Sequence, residues 1–270
     1  MYEMKINEYL KSVEQSRFTV FDTGKPLKTG VDLGTAYIVI TVLDMDNRPV
    51  ACALEKAHVL KDGVVVDYMK ALDVVKMLKR KLEGKLKREL RHCAIAMPSG
   101  TESSVKTHCY VAEGAGFEVT NVLDEPTAAN AVFRIRDGAV ADIGGGTTGL
   151  ALFREGKVVR TEDEPTGGTH LTLVLAGHHH ISYEEAERMK CDCAKHSEVL
   201  PIVRPVLEKM GGIIRNYTEN TEVRELYLCG GTCCLNGMEA IIQKETALPV
   251  FKPEYPFLVT PAGIAMNCEI

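Results

Sequence analysis

Two aspartates, Asp32 and Asp142, each sit just before a glycine-containing turn that leads into a β-rich run. The first stretch reads Gly30-Val31-Asp32-Leu33-Gly34-Thr35-Ala36, the second Ala141-Asp142-Ile143-Gly144-Gly145-Gly146-Thr147. Short glycine turns let backbone N–H groups approach phosphate oxygens with no Cβ in the way. A carboxylate at the end of the preceding strand can hold a hydrated Mg²⁺ at the same place. Two such turns, about 110 residues apart, could together clamp a triphosphate. Residues 144–149 also match G-x-G-x-x-G formally. A dinucleotide fingerprint must open a helix, whereas Leu150-Ala151-Leu152-Phe153 followed by Glu155-Gly156 reads as a hairpin. No G-x-x-x-x-G-K-[ST] run occurs, so this is not a P-loop nucleotide hydrolase.

Other residues invite chemistry less specifically. Glu125, before Pro126, opens a helical stretch where a carboxylate complements the helix dipole. Glu187 and Lys190 lie one helical turn apart. His178-His179-His180, Cys191, Cys193 and His196 suggest a metal, but consecutive histidines diverge and the C-x₂-C spacing of structural zinc is missing. The expectation is an ordinary helix–loop–helix, with Cys191 and Cys193 diverging on one helix. Cys233 and Cys234 are expected to be two small packed thiols. Residues 76–91 carry eight Lys or Arg against Glu83 and Glu89, expected to form one leucine-lined buried face and one solvated basic face.

Composition bounds these readings. The chain has 270 residues, a net charge of −5, 45% apolar residues and no Trp, near the globular average and without a global pull toward nucleic acid. No apolar run is long enough to span a bilayer, and charged residues from Glu3 to Glu14 interrupt any signal-peptide core. Nine scattered cysteines, an odd number, suggest reduced thiols in a cytoplasm.

Elements positioning the turns follow from periodicity. Ile6, Tyr9, Leu10 and Val13 predict an amphipathic N-terminal helix, broken at Asp22 to Pro26. β texture begins at Val31 and continues over 35–43 and 48–54. A helix is expected over 73–90, a strand over 94–97, a helix over 103–115, a strand over 119–123 and a helix from about 126 to 136. Strands over 139–143, 148–153 and 158–161 follow, then helices near 169–177, 182–195 and 198–216. A strand over 225–229, a helix over 235–246, a strand near Val250 and a helix over 260–267 end the pattern. Helices alternate with buried strands, so the class is α/β.

With these residues in view, the sequence resembles the actin/Hsp70/sugar-kinase superfamily of ATPases. GVDLGTAY at 30–37 and ADIGGGTTGLAL at 141–152 are similar to its first and second phosphate loops. IAMPS at 95–99 and EGAGFEVTNVLDEPTAANA at 113–131 resemble its next strand and first hinge helix. Gly167-Gly168 matches a Gly-Gly turn, EEAERMK at 184–190 an adenosine-contacting helix, and LCGGT at 228–232 an adenosine loop. The resemblance implies an actin-like, ribonuclease-H-like fold: two duplicated lobes flanking a nucleotide cleft, as in Hsp70 nucleotide-binding domains. It divides the chain into an extension over 1–29, lobe I over 30–137 plus 260–270, and lobe II over 138–259.

The resemblance also implies roles and a context. ATP or ADP with Mg²⁺ is the expected cofactor. Asp32 and Asp142 would hold the metal, and Gly34, Thr35, Ala36, Gly144, Gly145, Gly146 and Thr147 the phosphates. Glu125 would orient water, Glu187 and Lys190 would embrace the nucleoside, and Gly167, Gly168, Gly230, Gly231 and Thr232 would complete the cradle. About 50 residues between Gly168 and Leu226 leave no room for an Hsp70 outer lobe, and no peptide-binding domain is expected. The compact pattern resembles chaperone-like members associated with ethanolamine utilization and bacterial microcompartments. That implies a pathway enzyme or shell protein as client, with no nucleic acid and no membrane span. Hsp70's catalytic lysine has no aligned counterpart, so slow ATP hydrolysis or a nucleotide switch is expected. The alternatives are an actin-like or pilus-assembly-type scaffold and a reactivating factor for a cobalamin-dependent lyase.

Overall fold

The computed structural model describes residues 2–61, 63–97 and 105–270. The expected motif residues Pro98 and Ser99, and the start of the helix expected at Ser103, lie outside the described residues. The chain divides into two compact units. Unit 1 runs to Arg134 and takes back Leu258–Ile270, while unit 2 is Ile135–Phe257.

Unit 1 opens with α1 (Tyr2–Ser16) and a meander of β1 (Leu27–Leu33), β2 (Tyr37–Asp44) and β3 (Pro49–Lys56). A small pair, β4 (Leu60–Lys61) and β5 (Val64–Val65), leads to α2 (Tyr68–Leu86). Then come β6 (His92–Met97), α3 (Val105–Gly114), β7 (Glu118–Asp124) and α4 (Glu125–Phe133). The main sheet has the order β3-β2-β1-β6-β7. β1, β2 and β3 are antiparallel; β6 and β7 add in parallel.

Unit 2 repeats this plan. It holds β8 (Gly138–Ile143), β9 (Thr148–Arg154), β10 (Lys157–Glu164), α5 (Gly168–His179), α6 (Tyr183–Cys191), α7 (His196–Thr218), β11 (Leu226–Cys229), α8 (Met238–Thr246) and β12 (Val250–Phe251). The sheet order is β10-β9-β8-β11-β12, again a three-strand antiparallel meander extended by two parallel strands. Even the irregularity recurs, since the second and third strands slip register at Val42/Leu43 and at Val158/Arg160. Central strands are buried on both faces (all six residues of β8, five of six in β6), which is why they read as continuous apolar runs. α9 (Val259–Met266) then returns the chain to unit 1.

Three of the boundaries that differ from expectation have identifiable causes. β1 starts at Leu27, four residues early, because Leu27 pairs with Asp44 and the Lys28 amine donates to the Met266 carbonyl (3.0 Å). The preceding segment belongs to the unit, with α1 burying Ile6, Leu10 and Val13. α2 starts five residues early because the Asp67 carboxylate accepts the Lys70 N–H (3.0 Å) as an N-cap. It ends at Leu86 because Lys87 turns left-handed at φ 54°. The basic segment is not a uniformly solvated face either. The Lys79 amine is buried, donating to the Gly116 carbonyl (2.7 Å) and lying 4.7 Å from the Phe117 ring centroid. Arg88 pairs with Asp22 at 2.8 Å.

Candidate functional site

Each meander presents the same turn. In unit 1 the Gly34 N–H donates to the Tyr37 carbonyl (3.0 Å); in unit 2 the Gly144 N–H donates to that of Thr147 (2.9 Å). Asp32 precedes Gly34 as Asp142 precedes Gly144, and their sheet positions correspond. Asp32 lies between antiparallel Val39 and parallel Ala96; Asp142 lies between antiparallel Gly149 and parallel Cys229. The duplication therefore extends to the register of the two aspartates. A Cβ on Gly34 would lie 2.8 Å from the Tyr37 carbonyl oxygen, so the tight turn demands glycine.

Unit 2 brings two separate stretches, 167–169 and 230–232, onto its turn. The Gly168 N–H donates to the Gly144 carbonyl (3.0 Å) and the Thr169 N–H to that of Gly145 (2.8 Å). The Thr232 hydroxyl donates to the same Gly144 carbonyl (2.7 Å). Space is minimal. A Cβ on Gly167 would meet the Gly145 carbonyl at 2.7 Å, and one on Gly168 would meet Thr232 Oγ1 at 2.5 Å. Gly230 has φ +93°, and a Cβ there would overlap Asp142 Oδ1. Gly231 and Thr232 lie in the 3₁₀ turn Gly231–Cys234 that follows. Asp142, Gly144, Gly145, Gly167, Gly168, Gly230 and Thr232 thus form one cluster. The N–H groups of Gly145 and Gly146 have no backbone acceptor among the described residues, leaving donors suited to an anion.

Glu187 and Lys190 support this cluster from α6. Their side chains are 8% and 12% exposed and pair at 2.7 Å. The Lys190 amine also donates to the Gly168 carbonyl (3.0 Å) and to Thr172 Oγ1 (2.9 Å), while the Thr172 hydroxyl donates to the Glu187 carboxylate. Burial by itself raises the Glu187 carboxyl. The Lys190 charge and hydrogen bonds from Lys190, Thr172 and Cys191 outweigh it, holding the group below its ordinary value. Thr172 was not singled out in the sequence. Its signal is the spacing of four from Gly168, whose carbonyl its hydroxyl also reaches (3.1 Å).

Glu125 is the first residue of α4, with Asp124 as N-cap accepting the Thr127 N–H (2.9 Å). Asp32, Gly34, Thr35, Ala36 and Glu125 belong to unit 1; the other candidates belong to unit 2.

Among the described residues no three His, Cys, Asp or Glu side chains gather as a metal cluster. Two thiol expectations need correction. α6 ends at Cys191, so Cys191 and Cys193 are exposed on either side of the Asp192 cap rather than on one helix. Cys233 is buried, donating to the Cys229 carbonyl (2.9 Å), whereas Cys234 is exposed. His196 has a structural task. Its Nδ1 accepts the Asn236 N–H (3.0 Å), which leaves Nε2 to donate to the Lys190 carbonyl (3.1 Å).

Burial holds His196 below its ordinary value. The unfolded chain therefore binds its proton first, and stability falls with pH from about 6.5 downward. Chemical denaturation at pH 7.5 and 5.5 should show this loss, reduced in His196→Asn. An unchanged pH slope in the variant would exclude His196 as its source.

Comparisons with known proteins place the fold and the family. The chain matches the MreB/Mbl protein family over residues 51–196 and the cell division protein FtsA family over 139–263. It is 41% identical over 246 residues to the ethanolamine utilization protein EutJ of Escherichia coli strain K12, covering 91% of this chain and 87% of that one. A crystal structure of EutJ from Carboxydothermus hydrogenoformans matches with a TM-score of 0.94 and 44% identity, over 98% and 99% of the two chains. MreB5 of Spiroplasma citri bound to AMPPNP gives a TM-score of 0.70 at 18% identity, over 90% and 95%. The fold is thus that of the actin-like ATPases, and the chain belongs to the EutJ family of ethanolamine utilization proteins.

Proposed function

We propose that this protein binds ATP or ADP with Mg²⁺ and acts as a nucleotide-dependent, chaperone-like factor in ethanolamine utilization. Its client would be a pathway enzyme or a shell component of a bacterial microcompartment. The observation that carries the nucleotide reading is the duplicated Asp-x-Gly turn, equivalent in both sheets to the level of register. Support for the context comes from the similarity to EutJ proteins, and for the ligand from MreB5 structures of the same fold bound to AMPPNP and ADP.

Asp32 and Asp142 would hold the metal. Mg²⁺ keeps several waters and takes only one or two protein carboxylates beside phosphate oxygens, which suits one aspartate from each turn. Thr35, Ala36, Gly145, Gly146 and Thr147 would donate to phosphate, with Gly34 and Gly144 shaping the turns. Glu125 would orient the attacking water. Gly230, Gly231 and Thr232 would flank the nucleoside. Glu187 and Lys190, turned inward on each other, would act as positioning residues by fixing Gly168 beneath the turn. The bound Mg²⁺-nucleotide would supply a γ-phosphoryl group poised for transfer to water.

Titration of a fluorescent ATP analogue onto the purified protein tests the site. Asp142→Asn should weaken binding at least about tenfold in Mg²⁺, equivalent to roughly 1.4 kcal/mol, and bring phosphate release to background. Equal affinity and equal release in wild type and variant would remove the assignment. The client is tested separately by pull-down from ethanolamine-grown cells with ATP or ADP. Recovery of neither a pathway enzyme nor a shell protein would count against that part alone.

A further inference from the structure

Four strands end the two main sheets, and three of them receive hydrogen bonds from chain segments outside the sheet. β3 accepts the Phe21 N–H at the Val50 carbonyl (2.9 Å), from the segment following α1. β7 is crossed by the C-terminal tail, where Asn121 donates to the Asn267 carbonyl (3.2 Å) and the Glu269 N–H to Thr120 Oγ1 (3.1 Å). β12 is two residues long, and its Val250 N–H donates to Gln243 Oε1 (3.4 Å). β10 is different. It pairs only with β9, and among the described residues no segment hydrogen-bonds to its other edge over residues 157–161. Those five residues are exposed, Val158 at 37% and Val159 at 57%. An open strand edge is a template for pairing with another strand, and the register slip at Val158/Arg160 confines the regular part of β10 to the stretch from Arg160 onward.

The charges of this edge select the partner. β10 reads Lys157-Val158-Val159-Arg160-Thr161-Glu162-Asp163-Glu164, basic at its start and acidic at its end. Parallel pairing with an identical strand would set like charges side by side. Antiparallel pairing sets the basic end against the acidic end. A two-fold axis between identical antiparallel strands is perpendicular to the sheet, so it pairs residues of the same face. Arg160 and Glu162 share a face, since they bond to each other at 2.8 Å within the strand. Centring the axis on Thr161 places each Arg160 opposite the other chain's Glu162. Shifting one residue either way puts Arg160 against Arg160 or Glu162 against Glu162, which costs energy.

We infer that β10 is a homodimerisation edge, pairing antiparallel with β10 of a second copy of this chain about an axis at Thr161. The interface is one strand wide, so the dimer is weak and salt-sensitive.

Sedimentation equilibrium of the full chain over a concentration series tests this, with circular dichroism to confirm folding. Wild type should reversibly dimerise. Glu162→Arg replaces two attractive cross-strand pairs by repulsive ones, besides removing the bond between Glu162 and Arg160 within the strand. It should weaken dimerisation at least about tenfold. Arg160→Glu should do likewise, and the double swap should restore dimerisation. Mixing the two single variants should produce a heterodimer, because every facing pair is then attractive. In Thr161→Cys, mild oxidation should link the two substituted positions to each other, identified by peptide mass spectrometry. A chain monomeric at every accessible concentration would overturn the inference. So would a dimer indifferent to Glu162→Arg, or single variants that fail to pair when mixed.

Discussion

Gly263→Ala is expected to be among the most destabilising single-methyl additions to this protein. Gly263 lies in the middle of α9, facing α4. A Cβ there would overlap the Ala128 carbonyl oxygen, and would lie 2.6 Å from its carbon and 3.2 Å from the Ala129 nitrogen. All three atoms are backbone, so no side-chain rotation relieves the overlap and the helices must separate. Overpacking typically costs about 1–3 kcal/mol, and a backbone-on-backbone clash belongs at the upper end. Roughly 3 kcal/mol would lower the midpoint of thermal unfolding by some 6–12 °C for a chain of this size. Gly84→Ala is the control. It sits on the exposed side of α2 with nothing within 4 Å and should stabilise by about 0.5–1 kcal/mol. Should Gly263→Ala melt within 2 °C of wild type, the described contact between α4 and α9 is wrong. Because α4 begins at Glu125, the variant should also perturb any role Glu125 has in turnover.

Lys190→Met should have the second large effect. It leaves the Glu187 carboxylate buried without its cation, and removes a donor from Gly168 and Thr172. Breaking one side of a buried pair costs about 3–5 kcal/mol. The pH dependence carries a signature. In wild type Glu187 is held below its ordinary value, so its stabilisation is present above about pH 4.5 and is lost as pH falls through its lower folded value. Without Lys190 burial dominates and the carboxyl is raised, so the penalty is greatest at neutral pH and shrinks on acidification. Glu187→Gln in the Lys190→Met background should recover much of the loss, because the remaining group is neutral. Denaturant titrations at pH 7 and pH 4.5 separate these outcomes. A penalty independent of pH, with no recovery in the double variant, would mean that the pair is not buried as described.

The legible part of this protein was local. Asp32 and Asp142 could be read because a strand end, a tight glycine turn and a threonine are chain neighbours. Their hydrogen bonds, Gly34 to Tyr37 and Gly144 to Thr147, span only three residues. Helix α4 was legible for the same reason, as a Glu-Pro start is a short-range signal. Boundaries failed where a distant partner decided them. β1 reached back to Leu27 because Asp44 and Met266 were waiting for it. α2 starts ahead of its leucine stripe because the Asp67 cap lies in a segment with weak periodicity.

Composition and spacing by themselves determined that the chain is an α/β protein with two copies of one aspartate-glycine turn. Those are properties of neighbours along the chain, governed by backbone sterics and side-chain period. Only the tertiary structure decided which polar groups serve the interior. Nothing local separates Lys79 and Lys190 from the exposed lysines around them, or Cys233 from Cys234. Nor does anything local mark His196 as the clasp between Lys190 and Asn236. Burial depends on what residues far along the chain bring to the same place. The open edge of β10 likewise became visible only once the strand order of its sheet was assembled.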